Sequence, residues 1–180
     1  VNVSKYQIFN EEDCKIISKW FDERKDKNTF FYYFPEYTLK LLNCLKTLLP
    51  NLEYPIAVQS WCNSYNTGQY VDWHNHYGFK GYSFTAIIFI DGNPDIGFQI
   101  KDPLTNEVQI IKNKLGEMIL FDCETYHRSL ENYENFPRKV IGMTIHDFNI
   151  VSSKIILKNC CANERINDTI LLIDTLISVH

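Results

Sequence analysis

Tyr65-Asn66-Thr67-Gly68-Gln69-Tyr70-Val71-Asp72-Trp73-His74-Asn75-His76 is the stretch around which the chain is organised. Asn66-Thr67-Gly68 is a turn signal, and the residues from Gln69 to His74 read as a short strand. Alternate side chains of a strand share a face, so His74 and His76 project the same way, close enough to hold one metal ion. Tyr70 and Asp72 fall on that face too, while Trp73 and Asn75 fall on the other, where Trp73 is expected to be core.

Working outward, short strands dominate from residue 56 onward. They are expected at Ile56–Asn63, Gln69–His74, Ser83–Ile90, Gly97–Lys101, Glu107–Ile111, Gly116–Phe121, His127–Leu130 and Arg138–Asp147. Turn signals at Asp91-Gly92-Asn93-Pro94, Asp102-Pro103 and Lys114-Leu115-Gly116 separate them. About eight short strands with helical support fit a mainly β protein built as a double-sheet jelly roll. Upstream, Asn10 caps a helix whose apolar stripe is Ile16, Ile17, Trp20 and Phe21. Pro35 opens a second helix with a buried face of Leu41, Leu42, Leu45, Leu48 and Leu49, ended by Pro50. The aromatic run Phe30–Phe34 reads as core or a strand edge. At the end of the chain, Ile166, Ile170, Ile173 and Ile177 have helical spacing and predict a C-terminal helix, packed on the sheet or serving a homodimer contact. A strand over Thr169–Ile173 is the alternative.

The 180 residues are expected to form one domain, with helical support in 1–50, a jelly-roll core in 51–150 and an extension in 151–180. A net charge of -4 disfavours broad nucleic-acid binding without excluding a local basic groove. No apolar run approaches the ~20 residues of a membrane span. The six cysteines include no pair with zinc-site spacing, which points to reduced thiols and a cytoplasmic location.

A third histidine, His127, follows the apolar run Gly116-Glu117-Met118-Ile119-Leu120-Phe121, and Arg138 opens the next long strand. Arg138, Val140, Gly142, Thr144 and His146 share one face of that strand, whereas Lys139 points to the other. A close histidine pair, a distal histidine and an arginine on the following strand, in this order, resemble the Fe(II)/2-oxoglutarate-dependent oxygenases. The prolyl-4-hydroxylase-like branch and its phage-type relatives are most similar. The resemblance spans about Ser60 to Ile145. It implies a double-stranded β-helix of the cupin-like kind, with Fe(II), 2-oxoglutarate and O2 as cofactor and cosubstrates. It implies His74 as the first metal ligand and His127 as the distal one; His76 is assigned as the remaining metal ligand by its shared face with His74. It implies Arg138 as anchor of the far carboxylate of 2-oxoglutarate, and Tyr65 in the same pocket. Thr144 is assigned there by its shared face with Arg138.

One position departs from the family. His76 stands where the family pattern has an aspartate. Imidazole is a good ferrous ligand when neutral, and Asp72 or Asp122 are the alternative carboxylates. Tyr70 and Asp72 are also candidates for contacts to substrate or to the ligands. At unperturbed histidine pKa values, acid would compete with the metal below about pH 6.5. The reaction class implied is hydroxylation of a C–H bond coupled to decarboxylation of 2-oxoglutarate to succinate. The substrate is a small molecule or a prolyl or other side chain. The competing readings are a cupin-type three-histidine dioxygenase without 2-oxoglutarate and a non-catalytic jelly-roll binding module.

Overall fold

The computed structural model describes residues 2–23, 35–51, 56–76, 82–147 and 171–173. Two antiparallel sheets face each other. The larger contains β1 (Ser4–Gln7), β7 (Glu117–Asp122), β4 (Ser83–Asp91), β9 (Arg138–Asp147), β2 (Ile56–Tyr65) and β10 (Leu171–Ile173), in that spatial order. The smaller contains β3 (Val71–His74), β8 (Tyr126–Ser129), β5 (Phe98–Lys101) and β6 (Val108–Ile111). All eight strands expected from periodicity are present, and the arrangement is the expected jelly roll.

Strands β7 and β9 are buried on both faces because both faces are covered. Met118 and Leu120 of β7, with Ile141, Met143 and Ile145 of β9, pack under α1 (Glu11–Glu23) and α2 (Pro35–Leu48). On the other side, Ile119 and Phe121 meet Phe98, Ile100 and Ile111 of the smaller sheet. The inner space between the sheets is thus bounded by a rigid wall, and each residue of β9 is committed to one side of it.

Helix α1 starts as expected. The Asp13 amide donates to Asn10 Oδ1 (2.8 Å), and the Asn10 amide donates to Asp13 Oδ2 (3.0 Å). This reciprocal cap satisfies two amides that the helix itself leaves without acceptors. The buried stripe is Cys14, Ile17, Trp20 and Phe21, whereas Ile16 is 46% exposed. The expected stripe was therefore offset, because a small thiol, not Ile16, faces the sheet. Lys139 does point away from Arg138. Its ammonium lies beneath α1, 2.8 Å from Asp22 and 2.9 Å from Ser18 Oγ, and ties that helix to β9.

Three expectations change. Ser4–Gln7 is a strand paired with β7, so the N-terminal part is not purely helical. Leu171–Ile173 pairs with Ile56–Val58 at a sheet edge, so these residues are strand and not the expected C-terminal helix. A short β-branched run satisfies either periodicity, and backbone pairing with β2 decides it. The rest of that helix, its dimer contact and the Phe30–Phe34 run lie outside the described residues. Trp73 is half-buried, flanked by Lys101 (5.1 Å) and Arg128 (4.9 Å), and is not core. No disulfide links Cys14, Cys44, Cys62 or Cys123, and burial pushes the thiols of Cys14 and Cys44 up to about 12. Among the described residues, no helix is long and apolar enough to cross a membrane.

Removing the cap tests the N-terminal assignment. Asn10→Ala should lower the unfolding free energy by about 1 kcal/mol, read from denaturant midpoints at constant slope.

Candidate active site

The histidine cluster is assembled by strand register. β3 and β8 are antiparallel, and His74 lies directly opposite His127, with ring centroids 4.2 Å apart. His76 follows just beyond the end of β3. Its amide donates to the Cys123 carbonyl (2.9 Å), which turns its ring toward the pair, 5.3 Å from His74 and 5.2 Å from His127. One nitrogen from each of the three rings lies within 4.8 Å of the others.

The hydrogen bonds assign the tautomers of two of these rings. His74 Nδ1 is 2.8 Å from the Asp72 carbonyl, and His127 Nδ1 is 3.0 Å from the Thr125 carbonyl. A carbonyl only accepts, so each Nδ1 carries a proton and Nε2 is the ring nitrogen left to face a metal. His76 Nε2 is buried with no partner among the described residues. Burial, reinforced by His74, lowers the pKa of His76 to about 4 and that of His127 to about 3. These two rings are neutral at pH 5–6 without any metal. The expectation of acid competition from pH 6.5 is therefore corrected for them, because desolvation has already removed their protons.

Along the larger sheet, Tyr65 at the end of β2 is directly opposite Arg138 at the start of β9. Asn132 ties the end of β2 to the loop that precedes β9. Its amide group donates to the carbonyls of Tyr65 (2.8 Å) and Phe136 (2.9 Å). Arg138 is 1% exposed. Its Nη1 donates to the carbonyls of Ile96 (2.7 Å) and Gly97 (3.0 Å), its Nη2 donates to Ser129 Oγ, and its plane lies 4.7 Å from the Tyr65 ring. No carboxylate of the described residues pairs with it, and Nε has no partner. Three of the five guanidinium donors are thus used. The two that remain, on Nε and Nη2, form a side-on fork suited to a carboxylate. Burial draws the Arg138 pKa down, which expresses the same uncompensated charge.

His74, His76, His127, Tyr65, Ser129 and Arg138 line one cavity of about 210 Å³. Trp61 also lines it, with its ring 5.3 Å from that of His76. Gly142 faces Trp61 across the sheet, and a Cβ there would lie 2.5 Å from the indole nitrogen. Gly92, at φ +113°, sits against the Arg138 stem, where a Cβ would be 2.8 Å from Cα.

The remaining expected residues fall elsewhere. Thr144 shares Arg138's face but stands six residues along β9, opposite Thr85, and is not brought to the guanidinium. Tyr70 is 61% exposed and borders a separate shallow depression beside the Asn66–Gln69 turn. Asp72 is exposed and accepts from the Trp73 amide (2.7 Å); Asp122 caps the turn at Glu124 (3.1 Å). Neither carboxylate belongs to the histidine cluster. Sequence reasoning missed Ser129, which shares a face with His127 at strand period two, and Trp61, which shares one with Tyr65.

No family model matches the sequence, and no curated protein matches it significantly. Solved structures do match. A prolyl-4-hydroxylase from Pseudomonas putida superposes with a TM-score of 0.59 at 13% identity, over 80% of this chain and 84% of that one. An oxidoreductase of the 2OG-Fe(II) oxygenase family from Burkholderia pseudomallei gives 0.57 at 12%, over 81% and 84%. The fold is that of the 2-oxoglutarate- and Fe(II)-dependent oxygenases. HygX from Streptomyces hygroscopicus, solved with nickel and 2-oxoglutarate bound, gives 0.62 at 8%, over 80% and 81%.

Buried neutral histidines set a pH dependence of stability. Burial lowers the pKa values of His76, His127 and His146 to about 4, 3 and 4, all below the ordinary histidine value of 6.5. Between these limits the unfolded chain binds protons that the native state does not, so stability falls as pH falls. The slope is up to about 1.4 kcal/mol per pH unit for each histidine. Urea midpoints of the metal-free protein should drop steadily from pH 6.5 toward 4.

Proposed function

We propose that the protein is an Fe(II)- and 2-oxoglutarate-dependent dioxygenase that hydroxylates a C–H bond of a small molecule or an amino-acid side chain. The observation that carries this reading is the pairing of two features in one cavity. Three imidazoles converge at one end, and a buried guanidinium with a vacant donor fork lies at the other. A buried cation without a counter-ion is costly unless a ligand supplies the anion.

The donor set fits the groups this reading requires. His74, His76 and His127 would hold Fe(II), which binds imidazole through a ring-nitrogen lone pair. Arg138 would hold the far carboxylate of 2-oxoglutarate, with Ser129 and the Tyr65 hydroxyl beside it. Iron and 2-oxoglutarate supply the oxidising chemistry, with succinate and CO2 as by-products. The chain's own contribution is positioning. The carbonyls of Asp72 and Thr125 fix two rings, the Cys123 carbonyl fixes the third, and those of Ile96 and Gly97 fix the guanidinium. Apolar Val140, Ile87 and Phe98 line the space between and limit water there.

The absence of a carboxylate from the cluster favours a second reading, a three-histidine cupin dioxygenase that does not use 2-oxoglutarate. That reading gives the Arg138 fork no ligand. Anaerobic titration separates the two. Fe(II) and 2-oxoglutarate together should produce a visible charge-transfer band that neither produces alone, and no band under saturating conditions would sink the leading proposal.

The anchor and the metal site should separate on mutation. Arg138→Ala should weaken 2-oxoglutarate binding by roughly 30-fold or more, on the order of 2 kcal/mol, with iron binding little changed. His127→Ala should abolish stoichiometric iron binding.

His76 is tested by its own pair of variants. His76→Ala should lose most of the iron affinity, whereas His76→Asp should retain iron and turnover. Full iron content in His76→Ala would remove His76 from the ligand set.

A further inference from the structure

The inner face of β9 has a fixed order, and its last part has no role in the reading above. From its start the face presents Arg138, Val140, Gly142, Thr144 and His146. Arg138 is opposite Tyr65, and Gly142 is opposite Trp61, whose ring is against His76. The histidine level therefore lies four residues from the anchor. Thr144 lies one same-face step beyond it, roughly 20 Å of strand from Arg138. A five-carbon diacid held by Arg138 and directed at the histidines does not extend past them to Thr144.

Two buried hydroxyls meet at that level. Thr144 is directly opposite Thr85 on β4, and they are 3% and 1% exposed. Neither hydroxyl has a hydrogen-bond partner among the described residues. Thr85 lines the histidine cavity. Buried hydroxyls are usually satisfied, so two orphaned side by side next to a cavity mark a place where a ligand supplies the partner. On β2, Gln59 is the cross-strand neighbour of Thr144, and the next row holds His146 with its Nδ1 2.9 Å from Ser83 Oγ. No Asp, Glu, Lys or Arg of β2, β4 or β9 is on this face at the Thr85 or His146 rows.

We propose that Thr85 and Thr144, with Trp61 beside them, form the subsite for the substrate that is oxidised. The group recognised there is uncharged and hydrogen-bonding, a hydroxyl or an amide. A hydroxyl pair can both donate and accept, which suits such a group, and β2, β4 and β9 place no charged side chain at this level to neutralise a carboxylate or an ammonium. The indole face gives the apolar part of the substrate a flat surface. The assignment to the oxidised substrate rests on the oxygenase reading, whereas the ligand chemistry of the subsite can be tested without iron.

The test uses ligand-observed NMR on the metal-free protein with acetamide, ethylene glycol, acetate and methylammonium as probes. Wild type and the Thr85→Val/Thr144→Val double variant are compared. The neutral probes should lose at least fivefold in signal in the double variant. Acetate, drawn to Arg138, should be unchanged, and methylammonium should not respond. The Thr85→Ser/Thr144→Ser variant keeps both hydroxyls and should restore the neutral-probe signal. The double valine variant should melt no lower than wild type, because it removes hydroxyls that lack partners. Affinity for 2-oxoglutarate with Fe(II) should stay within twofold of wild type. The proposal is overturned if neutral probes do not bind, if they bind both proteins equally, or if acetate binding is what the valines remove. It is also overturned if the valines weaken 2-oxoglutarate binding, which would make Thr144 a cosubstrate ligand. Failure of the charge-transfer titration would instead count against the oxygenase reading and leave the probe result standing.

Discussion

A guanidinium buried between two sheets, with no carboxylate beside it among the described residues, is the constraint on which the interior depends. Arg138 is held by main-chain carbonyls, a serine hydroxyl and a tyrosine face, all of them neutral. Dipoles of this kind solvate the cation without neutralising it. The surrounding structure is shaped to permit this. Gly92 leaves room for the arginine stem, the Ile96–Gly97 carbonyls turn inward just before β5, and Asn132 links the end of β2 to Phe136, two residues before Arg138.

Strand β9 works because its two faces are chemically unlike. One carries Lys139, Ile141, Met143 and Ile145 into the helical layer, where apolar packing and the Lys139–Asp22 pair fix it. The other carries the anchor, a spacer and a gap into the cavity, with two buried polar residues beyond them. A one-residue slip would exchange these sets and place Lys139 in the cavity. The burial of the helical layer therefore sets the register of the site, although α1 contributes no residue to the cavity lining.

Much of this was legible from the chain alone. Alternation and turn residues located the strands, and period two placed His74 with His76 and separated Arg138 from Lys139. What could not be read was pairing across distance. That His74 faces His127, and that Thr144 faces Thr85, follow from registers between strands far apart in sequence. Ser129 and Trp61 escaped notice because serine and tryptophan carry no signal of function until a neighbour is known. The C-terminal strand stood only as the alternative to a helix, because isoleucines at 166, 170, 173 and 177 satisfy helical spacing, and pairing with the β2 edge is what makes residues 171–173 extended. The histidine pKa values were equally beyond reach, since desolvation is a property of the packed state.

Gly142 and Trp61 fill one space between them, the glycine giving up a Cβ that the indole then occupies. The wall of the cavity at the histidine level is for that reason formed by a large side chain beside the bare main chain of Gly142. Its depth is an inherited variable, adjustable by changing the size of one residue on β2 while the backbone, the histidines and the anchor stay where they are. A fold arranged in this way can keep its chemistry and exchange its clientele through a single codon.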